Sequence, residues 1–162
     1  MTLLIRPATN EDFGIIWPIF RDVVRKGDTY VQLPNTDETQ AKAYWMAPGH
    51  RVFAALKDGH CVGTYFVTAN RPGLGDHIAN ASFMVAPKSQ GGGLGRAMAN
   101  HALETARGMG FRGMQFNFVV ATNHGAIHLW ETLGFEIIGT IPDAFRHPKE
   151  GLVPAHIMYR SL

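Results

Sequence analysis

The chain has 162 residues, of which 46% are hydrophobic and 17% charged, with a formal net charge of +2. These values fit one globular domain spanning 1–162, able to bury about 70% of its unfolded surface without staples, and exclude a disordered chain. A near-balanced charge argues against a nucleic-acid binder, and the single cysteine, Cys61, excludes an intrachain disulfide.

No apolar run approaches the ~20 residues that span a bilayer, so no membrane partner is expected. The opening Met1-Thr2-Leu3-Leu4-Ile5-Arg6-Pro7 is unlike a signal peptide. Cytoplasm is the expected location.

Leu3 to Arg6 reads as a first strand, stopped by Pro7. Thr9 or Asn10 then caps a helix whose apolar face is Phe13, Ile16, Ile19, Phe20 and Val23, with Pro18 expected to kink it or delay its start. A second helix is expected from about Glu38 to Met46, capped by Asp37 and followed by Pro48-Gly49. Arg51 to Lys57 and Cys61 to Ala69 form a hairpin about the turn Asp58-Gly59. His77 to Val85 is the next strand, closed by Pro87.

A glycine run then opens a long helix to about Met109, with Met98, Ala99, Ala102, Leu103 and Ala106 on its apolar face. Gly113 to Val120 is an apolar strand, and Asn123 caps a helix ended by Gly134. Phe135 to Ile141 and Val153 to Tyr159 read as a last strand pair, joined by a long loop from Pro142 to Pro154. The expected fold is therefore α/β (α+β), with about four helices around a mixed, mostly antiparallel sheet.

The stretch Gln90-Gly91-Gly92-Gly93-Leu94-Gly95-Arg96 joins a strand to a helix. Glycines admit positive φ and close backbone approach, and the free N–H groups of a helix start favour an anion such as a pyrophosphate. Arg96 adds a positive charge in the first turn. A bare glycine turn without a ligand is the competing reading. A P-loop would need Gly-Lys-Ser/Thr where Gly95-Arg96-Ala97 stands, and a dinucleotide fingerprint would need glycine at Arg96.

With these residues in place, the sequence resembles the GCN5-related N-acetyltransferase superfamily. Gln90, Gly93 and Gly95 fill that family's phosphate turn, after the strand end Phe83-Met84-Val85-Ala86-Pro87. A second family block is matched by Asn123, Ala126, Leu129, Trp130, Glu131, Leu133, Gly134 and Phe135. The resemblance implies acetyl-CoA as cosubstrate, no metal, and a small-molecule amine as acceptor. It implies that Gln90, Gly91, Gly92, Gly93, Leu94, Gly95 and Arg96 hold the coenzyme's pyrophosphate through backbone N–H groups. Met84 and Val85 would pair with the pantetheine arm beside a β-bulge in their strand, and Asn123 would touch the pantetheine or thioester region. A homodimer is compatible with the resemblance.

Two positions depart from the common family pattern. The usual basic Glu is replaced by Asn80, whose amide takes up no proton near neutral pH, and the usual acidic Tyr by Trp130. Both replacements resemble fungal-type acetyltransferases acting on azetidine-2-carboxylate and related proline analogues, as do His77-Ile78-Ala79-Asn80-Ala81 and Phe116-Asn117-Phe118-Val119. That likeness places Asn80 and Asn117 at the reaction centre, with an amino or imino acid as the acceptor. The bland alternatives are a satisfied polar residue for Asn80, a backbone-bonded amide for Asn117 and a simple helix cap for Asn123. A non-catalytic acyl-CoA-sensing module is the alternative reading of the whole chain.

Among the other candidates, His77 would serve as a base only if a bulge turned it inward, and His124 would lie beside the coenzyme. Trp17, Phe20, Tyr30, Tyr44 and Trp45 read either as core packing or as apolar walls of an acceptor pocket. No histidine set has metal-ligand spacing.

Overall fold

The computed structural model describes residues 2–162. β1 (Leu3–Pro7) leads through a short helical turn into α1 (Phe13–Arg25), followed by α2 (Glu38–Trp45). Asp37 accepts from Gln40 N at 2.8 Å while Gln40 Oε1 accepts from Asp37 N at 3.1 Å, a reciprocal cap that fixes where α2 begins. Pro18 lies inside α1 rather than before it, opposite Gly14 one turn earlier, where no side chain adds to the crowding.

β2 (Arg51–Lys57) and β3 (His60–Ala69) follow, then β4 (Ile78–Val85), α3 (Leu94–Gly108), β5 (Gly113–Val120), α4 (His124–Thr132), β6 (Glu136–His147) and β7 (Gly151–Ser161). Asp58 (φ 50°) and Gly59 (φ 81°) both take positive φ, as a two-residue hairpin of this twist requires. The seven strands run in the order β1-β2-β3-β4-β5-β7-β6. Neighbours are antiparallel except β4 and β5, which are parallel.

Each face of the sheet carries a core. One joins Phe53, Tyr65, Ala79, Ala81, Met114 and Phe116 to the inner face of α3 and to Trp130 of α4. The other joins Val52, Phe66 and Met84 to Phe13, Ile16, Phe20 and Trp45 of α1 and α2.

The expected loop from Pro142 to Pro154 is instead mostly strand: β6 and β7 continue to a turn at residues 148–150. Pro142 and Asp143 (φ 50°) fall in a break of the ladder between Ile141 and Phe145, on the edge strand. Pro154 O accepts from Ala121 N at 2.9 Å, so its missing N–H faces the end of β5, where the register with β7 stops at Val120 and Ala155. Two prolines that look like loop signals thus occupy an edge strand and the end of a ladder, where a sheet tolerates them.

The central event of the fold is the parting of β4 and β5. They pair only at Ile78 with Gly113 and Ala79 with Met114. Beyond this corner β5 shifts against β7 between Phe116 and Val119 and diverges from β4. The bulge expected in β4 is therefore found in β5, and β4 keeps an unbroken ladder with β3 from Ala79 to Val85.

Candidate active site

The parted strands open a cleft of about 720 Å³, walled by β4, β5, the start of α4, the glycine turn and the segment joining α1 to α2. Alternation decides what β4 shows to it. Ile78 O accepts from Asn70 N and Ala86 N donates to Val62 O, both on the β3 side, whereas His77 O accepts from Arg112 N on the β5 side. With no break between them, the main-chain groups of Ala81, Phe83 and Val85 face the cleft, and those of Ser82 and Met84 face β3.

This alters one sequence-based expectation. Met84 spends its main chain on the ladder with Thr64 and buries its side chain against α1 and α2, so it cannot pair its amide with a ligand. Of the expected pair, Val85 alone keeps an amide and a carbonyl toward the open side.

At the far end of β4, Gly91 (φ 85°) and Gly93 (φ 77°) take the left-handed conformation, and Gly93 is the residue before α3. A Cβ added at Gly91, Gly92 or Gly93 would meet no atom within 4 Å, so this corner is open ground rather than a packed turn. The helix start leaves its first N–H groups without intrahelical partners; the first bond runs from Ala97 N to Gly93 O at 3.0 Å. Gln90, Gly91, Gly93, Leu94 and Gly95 line the cleft. Arg96 turns away from it and donates to Thr132 Oγ1 of α4 at 2.8 Å, so its guanidinium does not add charge to the cradle in this state.

Asn123 precedes α4, where its Oδ1 accepts from Ala126 N at 3.3 Å, and it also lines the cleft. Capping and facing a ligand are thus compatible at this position.

Asn80 and Asn117 both line the cleft. Asn80 Nδ2 donates to Gln115 O at 2.9 Å, bridging the strands just past their last ladder pair. Asn117 is exposed; its Nδ2 donates to Asn70 Oδ1 at 2.7 Å and its Oδ1 accepts from Gln115 Nε2 at 2.9 Å. The side-chain amides of Gln115, Asn117 and Asn70 are thus linked in series beside the cleft, with Asn80 tied to the main chain of Gln115.

Trp130 is buried against Phe83, Phe116 and Phe135, with ring centroids 4.6–5.8 Å away, and forms the apolar wall on the α3–α4 side. His77, His124 and His128 are exposed and do not line the cleft. Burial pushes the Cys61 thiol up from its ordinary pKa, the reverse of what an acyl-carrying nucleophile needs.

The aromatic residues of the N-terminal helical pair divide. Phe20 and Trp45 are core, while Tyr30 and Tyr44 line the cleft. Tyr30 Oη accepts from Phe83 N at 3.2 Å and donates to Phe83 O. Burial raises its pKa. Gln32, two residues on, also lines the cleft, with its Oε1 buried and unpartnered.

The model of the acetyltransferase (GNAT) family matches residues 15–135. The chain belongs to this family. A GCN5-related N-acetyltransferase from Kribbella flavida is 44% identical over 99% of this chain and 98% of its own, with a TM-score of 0.93. The N-acetyltransferase aca1 of Schizosaccharomyces pombe is 42% identical over 97 residues, which are 59% of this chain and 46% of that protein. The chain thus spans less than half the length of this fission-yeast relative. The structure of yncA from Salmonella typhimurium, determined with its cofactor acetyl-CoA, shares the fold at 24% identity and a TM-score of 0.86, over 100% of this chain and 95% of its own. In this GNAT-family chain the matched stretch runs from α1 to Phe135 and so includes the glycine turn, the parted strands and the Asn123 block.

Proposed function

We propose that this GNAT-family chain transfers acetyl from acetyl-CoA directly to the amine of a small molecule, and that the acceptor is an amino acid or imino acid. The observation that carries the proposal is the opening between β4 and β5. It exposes a row of main-chain donors and acceptors that ends at a glycine cradle beside a helix start. Such a row suits an extended, amide-bearing arm terminated by a diphosphate.

The cradle from Gln90 to Arg96 and the main chain of Val85 would hold the coenzyme, with Asn123 beside its arm. Acetyl-CoA supplies an acetyl group activated as a thioester. The protein's part is to hold amine and carbonyl within about 3–3.5 Å, a service worth several kcal/mol. The amides of Asn80 and Asn117 orient the acceptor, either at its amine or at its carboxylate. Neither exchanges a proton near neutral pH, so the amine proton leaves through water. Trp130 shields the thioester side from bulk solvent.

The test is release of free thiol from acetyl-CoA over a panel of amines, amino acids and imino acids. Asn80→Ala and Asn117→Ala are each expected to lower turnover about 10- to 100-fold, as the loss of one or two substrate hydrogen bonds would. Coenzyme affinity should stay within about twofold of wild type, since neither side chain reaches the cradle. Tight acetyl-CoA binding without acceptor-dependent thiol release would instead identify an acyl-CoA-sensing module.

A further inference from the structure

Gln32 has no part in the reading above. It lies in residues 26–37, between α1 and α2, and lines the cleft with its Oε1 buried and unpartnered. Among the described residues no other buried side-chain nitrogen or oxygen lacks a partner. Folded chains satisfy nearly all such groups, so this oxygen calls for a donor from outside the chain. Its own segment holds it in place. Two residues earlier, Tyr30 Oη accepts from Phe83 N at 3.2 Å and donates to Phe83 O, fastening the segment to β4. Thr36 Oγ1 then donates to Leu33 O at 2.6 Å, and the Asp37 cap follows.

The cleft around Gln32 has two further properties. Ala79 and Ala81 are buried in the core beneath α3, so alternation turns the Asn80 side chain to the other face, the one that α1 and α2 cover. Gln32 and Asn80 thus meet the cleft from the same side of the sheet. None of the described residues that line the cleft is an Asp, Glu, Lys, Arg or His. Positive charge on a reacting amine must therefore be met by dipoles, and the Gln32 carbonyl oxygen is a negative end already withdrawn from water.

We propose that Gln32 is an acceptor-binding residue whose Oε1 receives an N–H of the amine, selecting a nitrogen that carries hydrogen at that point. This inference rests on the acetyl-transfer reading above and divides the acceptor between two sets of groups. The Nδ2 atoms of Asn80 and Asn117 each carry two hydrogens and spend one inside the protein, so a second is left to each for the acceptor's carboxylate. The amine goes to Gln32. When its lone pair forms the C–N bond, the nitrogen becomes positive and its hydrogen bond to Oε1 strengthens. The carbonyl π pair moves onto the oxygen; its return breaks the C–S bond, and the sulfur keeps that pair. The proton on nitrogen passes to water, and solvent protonates the sulfur. An imino acid leaves as an amide without N–H, so for that acceptor the bond to Gln32 ends with the transfer.

The test compares wild type with two variants by thiol release from acetyl-CoA, using azetidine-2-carboxylate, L-proline and L-alanine as acceptors. Gln32→Met keeps the length of the side chain and removes the oxygen. Its kcat/KM for the acceptor is expected to fall about 10- to 100-fold, the loss of one hydrogen bond to a charged group, with KM for acetyl-CoA within about threefold. Its urea midpoint should equal or exceed that of wild type, because an unpaired oxygen has left the interior. Gln32→Glu keeps an accepting oxygen in either protonation state, so its kcat/KM should lie between those of wild type and Gln32→Met.

Unchanged kcat/KM in Gln32→Met would overturn the assignment. So would a midpoint below wild type, or failure to fold, since the oxygen would then already serve the fold. A Gln32→Glu protein slower than Gln32→Met would place the acceptor's carboxylate, not its amine, against residue 32, and would overturn it too. Each of these results leaves the acetyl-transfer reading standing as long as wild type turns over an acceptor. If wild type releases no thiol with these or any other member of the panel, that reading fails and this inference fails with it.

Discussion

Asn80 donates its amide to the carbonyl of Gln115 where two strands part, and this bond gives the position a reason to be an amide rather than a carboxylate. A carboxylate there would have no hydrogen to offer and would face a carbonyl oxygen. The residue therefore ties the two strands together just past their last ladder pair. Another single group with a structural burden is Thr64, a fully buried hydroxyl between Trp45 and Phe53. It accepts from Trp45 Nε1 at 3.0 Å and donates to Phe53 O at 2.8 Å, tying α2 to the sheet. Thr64→Val keeps the shape but orphans the indole N–H, and the expected loss is about 1–3 kcal/mol, read from the denaturant midpoint at unchanged slope. At this scale the sequence was only partly legible. The candidate residues could be named, but not which neighbour holds each. That Arg96 turns to Thr132, or that Tyr30 reaches Phe83 across 53 positions, depends on how distant segments meet.

The elements were far more legible, because their signals are local. The Asp58-Gly59 turn, the Asp37 cap and the apolar face of α3 each announce themselves within a few residues, and the structure follows them. Pro142 and Pro154 misled for the same reason: a proline says locally that a donor is missing, not that the sheet has no use for one at that point. The direction of a main-chain group was also hidden, since it needs the β3–β4 register that separates Met84 from Val85. One element junction responds to pH. Arg6 on β1 pairs with Asp12 before α1 at 2.8 Å, and Thr9 N donates to the same carboxylate at 2.7 Å. The bond from Arg6, and then the one from Thr9, hold the Asp12 carboxyl well below the usual range. The unfolded chain, with its carboxyl near an ordinary ~4, takes up the proton first as pH falls, so the native state loses this support progressively below that value. Asp12→Asn should therefore be less stable than wild type at pH 7, with a gap that narrows below about pH 4. Urea titrations of both proteins at several pH values would show it. A gap that widened on acidification would contradict the assignment.

For the whole molecule, the two halves of the sheet share only a corner, and a ligand lying between them would bind the native state alone. Acetyl-CoA at about 100 times its dissociation constant should then add about 2.7 kcal/mol of stability. For a domain of this length that is a rise in Tm of about 5–10 °C. The same experiment with Gly93→Ala, where a side chain is asked to adopt φ 77°, should show a smaller rise at equal acetyl-CoA. The global architecture was the most readable level of all, because the order of elements and two motif blocks together restrict the topology to very few arrangements.

The row of unpaired main-chain groups along β4 also has a thermodynamic face. Peptide groups on the lip of a cleft do not go unsolvated, so Ala81 and Val85 must be wetted whenever no ligand lies against them. Filling the slot is then largely an exchange of hydration for pairing, with the displaced water returned to the bulk beside the apolar wall of Trp130 and Phe116. Such an exchange makes affinity depend on how loosely that water was held, and a heat-capacity decrease on binding would be its calorimetric signature.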